Sequence, residues 1–78
     1  MSITEAEVKA LIAEILKVPI DVITNELSIG DIREWDSLAH MAIITGIEAK
    51  FGIILDIEEA IDIEDVEDIT SAVLSRNI

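Results

Sequence analysis

The stretch Asp36-Ser37-Leu38-Ala39-His40-Met41-Ala42-Ile43-Ile44-Thr45-Gly46-Ile47-Glu48-Ala49-Lys50-Phe51-Gly52 decides the fold. Ile43, Ile44, Ile47 and Phe51 recur on one side at helical intervals, which predicts a helix over Ser37–Phe51. Asp36 offers an N-cap oxygen, and Gly52 supplies the residue best suited to a left-handed C-terminal stop.

Working outward, Thr4-Glu5-Ala6-Glu7 has the spacing of a capping box, and Val8, Leu11, Ile12, Ile15 and Leu16 follow it at helical intervals. A first helix is therefore expected over Glu5–Leu16, with Pro19 as its stop. Residues 56–68 hold eight acids and no base, interrupted by Ile57, Ala60, Ile61, Ile63 and Val66. That pattern suits a short helix over Ile57–Asp62. A last helix near 65–76 would turn Val66, Ile69, Val73 and Leu74 to the core, with Arg76 favourably placed at its C-terminal end. The twenty residues 17–36 are too many for a bare loop inside a compact unit. Val18, Ile20, Val22, Ile23, Leu27, Ile29, Ile32 and Trp35 can anchor them, so they read as a long packed connection. No alternation is long enough to require a sheet. The expected fold class is all-α: a small four-helix bundle, three main helices plus one short helix, with a long packed loop between the first two.

Seventy-eight residues without a Gly/Ser-rich or Pro-rich divider read as one domain over 1–78. A chain this short buries only about 60% of its unfolded surface, which leaves little room for an enclosed catalytic pocket and favours a carrier or binding module over an enzyme. The apolar residues are scattered, and their longest runs, 41–44 and 53–55, fall far short of a membrane span. The opening Met1-Ser2-Ile3-Thr4-Glu5 lacks the basic start and apolar stretch of a secretory leader, so a cytoplasmic location is expected. Seventeen acids against five bases give a net charge of −12, which repels nucleic-acid phosphates and anionic lipid surfaces alike. The same field speeds encounter with basic patches on other proteins; it also serves simple solubility and a monomeric state. The absence of cysteine removes disulfides, thiolate metal sites and a cysteine nucleophile.

Within the decisive stretch, Asp36-Ser37-Leu38 sets an acid, a hydroxyl and an aliphatic residue at a helix start. A first-turn serine is exposed, and a phosphodiester built on it lies near free N–H groups and the positive end of the helix dipole. Taken alone, the tripeptide also reads as an ordinary N-cap followed by a first-turn residue. With Ile43, Ile47, Glu48 and Phe51-Gly52 behind it, and Ala60, Ile63, Val66, Ile69 and Val73 further on, essentially the whole chain resembles the acyl carrier protein family. The resemblance implies a four-helix bundle in which Ser37, flanked by Asp36 and Leu38, receives a 4'-phosphopantetheine arm from coenzyme A. It implies that a phosphopantetheinyl transferase performs the loading with Mg2+, and that the arm's thiol then holds an acyl group as a thioester for acyl-activating and acyl-transferring enzymes. Such a carrier catalyses nothing itself and holds no metal of its own.

At about 100° per residue, Leu38, Met41, Ala42, Thr45 and Ala49 form a stripe on the Ser37 side of the helix, with Glu48 beside it as the one retained acid. This stripe is the expected partner face; lining the loop is the other role open to it. Fatty-acid-synthesis relatives usually carry acids just after the D-S-L motif, where this chain has Ala39, Ala42 and Ala49. That departure favours a dedicated pathway, whether fatty-acid-like, polyketide or otherwise specialised, over general fatty-acid synthesis, with the acidic residues 56–68 as the alternative charged docking surface. Trp35 reads as a core anchor. His40, three residues after Ser37, invites a serine hydrolase pair, but no third orienting group or oxyanion hole can be assigned, and a packed histidine is expected. No D-x-D-x-D-G calcium loop exists. Gly46 permits either close helix packing or close partner approach. Two other readings stay open: a peptidyl or aminoacyl carrier, which would load Ser37 in the same way, and a helical adaptor that never receives a cofactor.

Overall fold

In a computed structural model, which describes residues 3–76, four helices enclose one hydrophobic core. Helix α1 spans Glu5–Leu16, α2 spans Ser37–Phe51, α3 spans Ile57–Asp62 and α4 spans Val66–Leu74. The expected architecture, three main helices, one short helix and a long packed connection after the first, is the observed one.

Each start is set by a short polar side chain. Thr4 accepts from the Glu7 amide at 3.2 Å while the Glu7 carboxylate accepts from the Thr4 amide at 3.2 Å, closing the capping box that opens α1. Asp36 and Asp65 cap α2 and α4 through the amides of Ala39 and Asp68, both at 2.8 Å. The last helix is shorter than expected, because Asp65 is its cap and Ser75 and Arg76 lie beyond its end.

The stop of α1 differs from the expectation. Lys17, not Pro19, ends the helix: it takes a left-handed conformation with φ of 59°, and its amide and that of Val18 turn back to Glu14 and Ala13. This is the turn that glycine usually makes, here adopted by a residue with no sequence signature for it. Pro19 instead precedes a 3-10 turn over Ile20–Val22. That turn also corrects Ile20, expected as an anchor of the loop, which faces solvent at 50% exposure.

Helix α1 packs on α2 and α4. Val8, Ile12 and Leu16 meet Ile43, Ile44 and Ile47 of α2 and Val66, Ile69 and Val73 of α4, all buried. Each such side chain contributes about 1.5–3 kcal/mol of hydrophobic stabilisation. Leu74 is only half-buried, and Thr70 takes a buried place on α4 with its hydroxyl donating to the Val66 carbonyl at 2.9 Å. Gly46 sits where α1 crosses α2; a Cβ there would lie 2.7 Å from Ile15 Cδ1, so the glycine serves helix packing.

The connection over 17–36 is held at both ends and in the middle. Ile23 and Trp35 are buried from it, Trp35 completely. Ile29 N–H donates to the Glu64 carbonyl at 2.8 Å, Val66 N–H to the Leu27 carbonyl at 3.0 Å and Glu67 N–H to the Asn25 carbonyl at 3.2 Å, a strap that joins the loop to the start of α4. Helix α3 is the most lightly anchored element: Ala60 is its one buried residue, while Ile57 and Ile61 are 74% and 72% exposed. No described helix is long and apolar enough to cross a membrane.

Candidate functional site

The site grows from the start of α2. Asp36 has extended backbone geometry, and its carbonyl receives the first helical bond, from the His40 amide at 2.8 Å. The amides of Ser37 and Leu38 therefore precede the intrahelical ladder and remain free, and the dipole adds positive potential there. Ser37 is exposed, and its hydroxyl enters no hydrogen bond with the described residues. The other described serines differ: the hydroxyls of Ser28 and Ser75 donate to the carbonyls of Glu26 and Ala72, and Ser71 sits in the body of α4. An unbonded hydroxyl beside two unpaired amides is a fitting place to build a phosphodiester.

Beside Ser37 an apolar cavity of about 390 Å3 opens between α2, α3 and the connection. Met41, Ile29, Ile57, Ile61 and Ile63 give it aliphatic walls, and His40 and Ala60 complete it towards the core. Glu64 stands at its edge as the one acid.

His40 is 7% exposed and both ring nitrogens are engaged. Trp35 Nε1–H donates to Nδ1 at 3.1 Å, and Nε2 lies 3.2 Å from the Ala60 carbonyl oxygen. The two rings stack with centroids 6.0 Å apart. Because the indole nitrogen can only donate, Nδ1 is the acceptor and Nε2 carries the proton that goes to Ala60. His40 is thus bonded away from the Ser37 hydroxyl, as expected of a packed histidine, and the pair has no hydrolase geometry. Its partners were beyond sequence reasoning, since one is a backbone carbonyl on another helix.

Of the expected partner stripe, Leu38 and Met41 are 82% and 52% exposed, and Ala42, Thr45 and Ala49 also face solvent. Met41, Ala42 and Thr45 border a second, open groove against Leu11 and Ile15 of α1. Glu48 departs from the stripe: its carboxylate accepts from the Leu55 amide at 2.9 Å and fixes the turn after α2, so it serves the fold rather than an open surface. Within the acidic segment, Asp65 is spent on a cap, and Glu59 pairs with Arg76. The hydrogen bond to Arg76, joined by one from the Asp56 amide, holds the Glu59 carboxyl below its ordinary pKa. Glu58, Asp62, Glu64 and Glu67 project outwards with no ion pair or hydrogen bond to their carboxylates among the described residues.

No curated protein matches the chain significantly. A family model described as "Phosphopantetheine attachment site" matches residues 6–73, from the first turn of α1 to the buried Val73 of α4, a span that includes Ser37. Members attach 4'-phosphopantetheine covalently to a serine, act as non-catalytic carriers, and are served by transferases and biosynthetic enzymes. With that match running across the whole helical core, the chain belongs to the phosphopantetheine attachment-site family and is a phosphopantetheine-bearing carrier protein.

Proposed function

We propose that Ser37 is the attachment point of the arm, that residues 1–78 form one carrier domain, and that it carries acyl groups in the cytoplasm. The observation that carries this reading is the unbonded Ser37 hydroxyl at the free N-terminus of α2, next to an aliphatic cavity. In the loading step Ser37 Oγ forms a bond to the phosphorus of coenzyme A that bears the pantetheine. The P–O–P bridge breaks, adenosine bisphosphate leaves with its electron pair, and the hydroxyl proton passes to a base of the transferase. The transferase and Mg2+ supply activation that this exposed hydroxyl lacks. When bound, the arm supplies a terminal thiol that carries the acyl group as a thioester. Thereafter the chain's own residues present and shelter; none reacts.

Two features narrow the cargo and the partners. An aliphatic cavity beside the attachment serine suits an acyl chain better than a charged aminoacyl group, whose ammonium would be costly to desolvate there. Leu38 and Met41, with Ala42 and Ala49, make the α2 face apolar, whereas Glu58, Asp62, Glu64 and Glu67 offer the free charge. Partner enzymes would accordingly set an apolar patch on α2 and a basic rim against α3 and the start of α4, in a dedicated pathway rather than general fatty-acid synthesis.

The test is to incubate the protein with coenzyme A, Mg2+ and a broad-specificity phosphopantetheinyl transferase and to record intact mass. One phosphopantetheine is expected on the wild type and none on Ser37→Ala. An equal adduct on Ser37→Ala would sink the assignment. Supplying acyl- or aminoacyl-activating enzymes to the loaded protein then separates acyl from aminoacyl cargo.

A further inference from the structure

We propose that His40 is the specificity-determining residue that sets how long an aliphatic chain the cavity beside Ser37 can house. The inference rests on the acyl-carrier reading above and goes further in assigning the limit to one side chain.

The walls of the cavity are unequal. Met41, Ile57 and Ile61 are aliphatic and largely exposed, so they can yield by changing rotamer at little cost. The His40 ring cannot. It is gripped on both edges, by the Trp35 indole N–H at 3.1 Å and by the Ala60 carbonyl at 3.2 Å, and it is stacked on an indole that is itself fully buried. Moving it would strand a buried donor and a buried acceptor together. Trp35 is stacked on the ring and does not line the cavity, so imidazole, with Ala60 and Ile63, makes up its buried side. Beyond lies the packed core.

The same ring also limits widening. Helix α3 forms the opposite wall, and its buried backbone is tied to α2 by the His40–Ala60 bond. A chain that outgrows the cavity must therefore push aside the ring or draw α3 away from it, and both routes break that bond. Chains that end short of the ring are covered by the aliphatic walls. Longer ones leave their excess carbons in water, where the cost rises with each methylene.

The experiment transfers acyl-phosphopantetheine arms from a series of acyl-coenzyme A donors, butanoyl to hexadecanoyl, onto the full chain and measures the half-life of each thioester in hydroxylamine. In the wild type the half-life is expected to rise with chain length and then level off. In His40→Ala the levelling should move to chains longer by about two to three carbons, as the ring's volume is vacated. His40→Gln, whose amide can accept from Trp35 and donate to Ala60, should keep the wild-type limit. If His40→Ala fails to fold, Trp35→Phe leaves the ring in place but unfastened and should shift the limit in the same direction. A folded His40→Ala, or Trp35→Phe in its stead, that levels off at the wild-type length overturns the proposal, even if its melting temperature has fallen. Intact mass beforehand separates this from failure of the parent reading: an arm absent from Ser37 overturns the carrier assignment and this inference with it, whereas an arm present with an unmoved limit overturns the inference alone.

Discussion

The indole Nε1–H of Trp35 donates to His40 Nδ1 at 3.1 Å, so the chain's one tryptophan dictates the tautomer of its one histidine. Neutral His40 is therefore expected to hold its proton on Nε2, which imidazole nitrogen chemical shifts report directly. A majority Nδ1–H form would contradict the arrangement. Trp35→Phe leaves Nδ1 without a donor in a buried position and should cost about 1–3 kcal/mol in chemical denaturation followed by circular dichroism.

The Asp36 cap sits one residue before Ser37, the proposed attachment point, so stability and loading can be separated there. Asp36→Ala removes the acceptor of the Ala39 amide and should lower stability by about 1 kcal/mol, whereas Asp36→Asn should recover most of it. Ser37→Ala touches no hydrogen bond and should leave the melting curve within about 0.5 kcal/mol of wild type while abolishing the mass shift on loading.

Gly46 and Ile15 should behave as a coupled pair. Gly46→Ala gains about 1 kcal/mol of helix propensity, but its new methyl would stand 2.7 Å from Ile15 Cδ1, so the gain should be cancelled in the wild-type background. Ile15→Val removes that terminal carbon. In its presence Gly46→Ala should stabilise by most of the propensity difference, a non-additivity that a double-mutant cycle measures.

The Glu59–Arg76 pair predicts an acid-side slope. The folded-state pKa of Glu59 is lowered from 4.5, so its stabilising contribution is complete above that value and is lost as pH falls through the lower folded value. Arg76→Gln should flatten the stability profile below pH 4.5, with its full but small loss of stability at neutral pH, since a partly exposed pair contributes weakly, and a loss that fades as pH falls. An unchanged acid slope in Arg76→Gln would show that the pairing does not govern Glu59.

The helices were legible because their boundaries are local chemistry. The Thr4–Glu7 box, the Asp36 cap and Gly52 each act within a turn of the chain, and the spacing of Ile43, Ile44 and Ile47 fixes a buried face without reference to other elements. The exposed place of Ser37 at the helix start was legible for the same reason. What sequence did not show depends on meetings across the fold. Lys17 adopts a left-handed turn that no residue-type rule assigns to lysine, and Glu48 looked like a surface acid until the turn at Leu55 came within reach of it. The Ala60 carbonyl belongs to no side chain at all, so its bond to His40 left no mark on the sequence.

The strap between residues 25–29 and 64–67 bears on the order of events in folding. Its bonds join segments far apart along the chain, so closing it carries a loop entropy that only the assembled core can offset. Until α4 leaves the ribosome the connection has nothing to close against, and Trp35, with the helix that begins just after it, lacks its final setting. A transferase that reads α2 as a finished helix would thus meet its substrate only after synthesis has passed the last core residue, which makes loading a check on a completed domain.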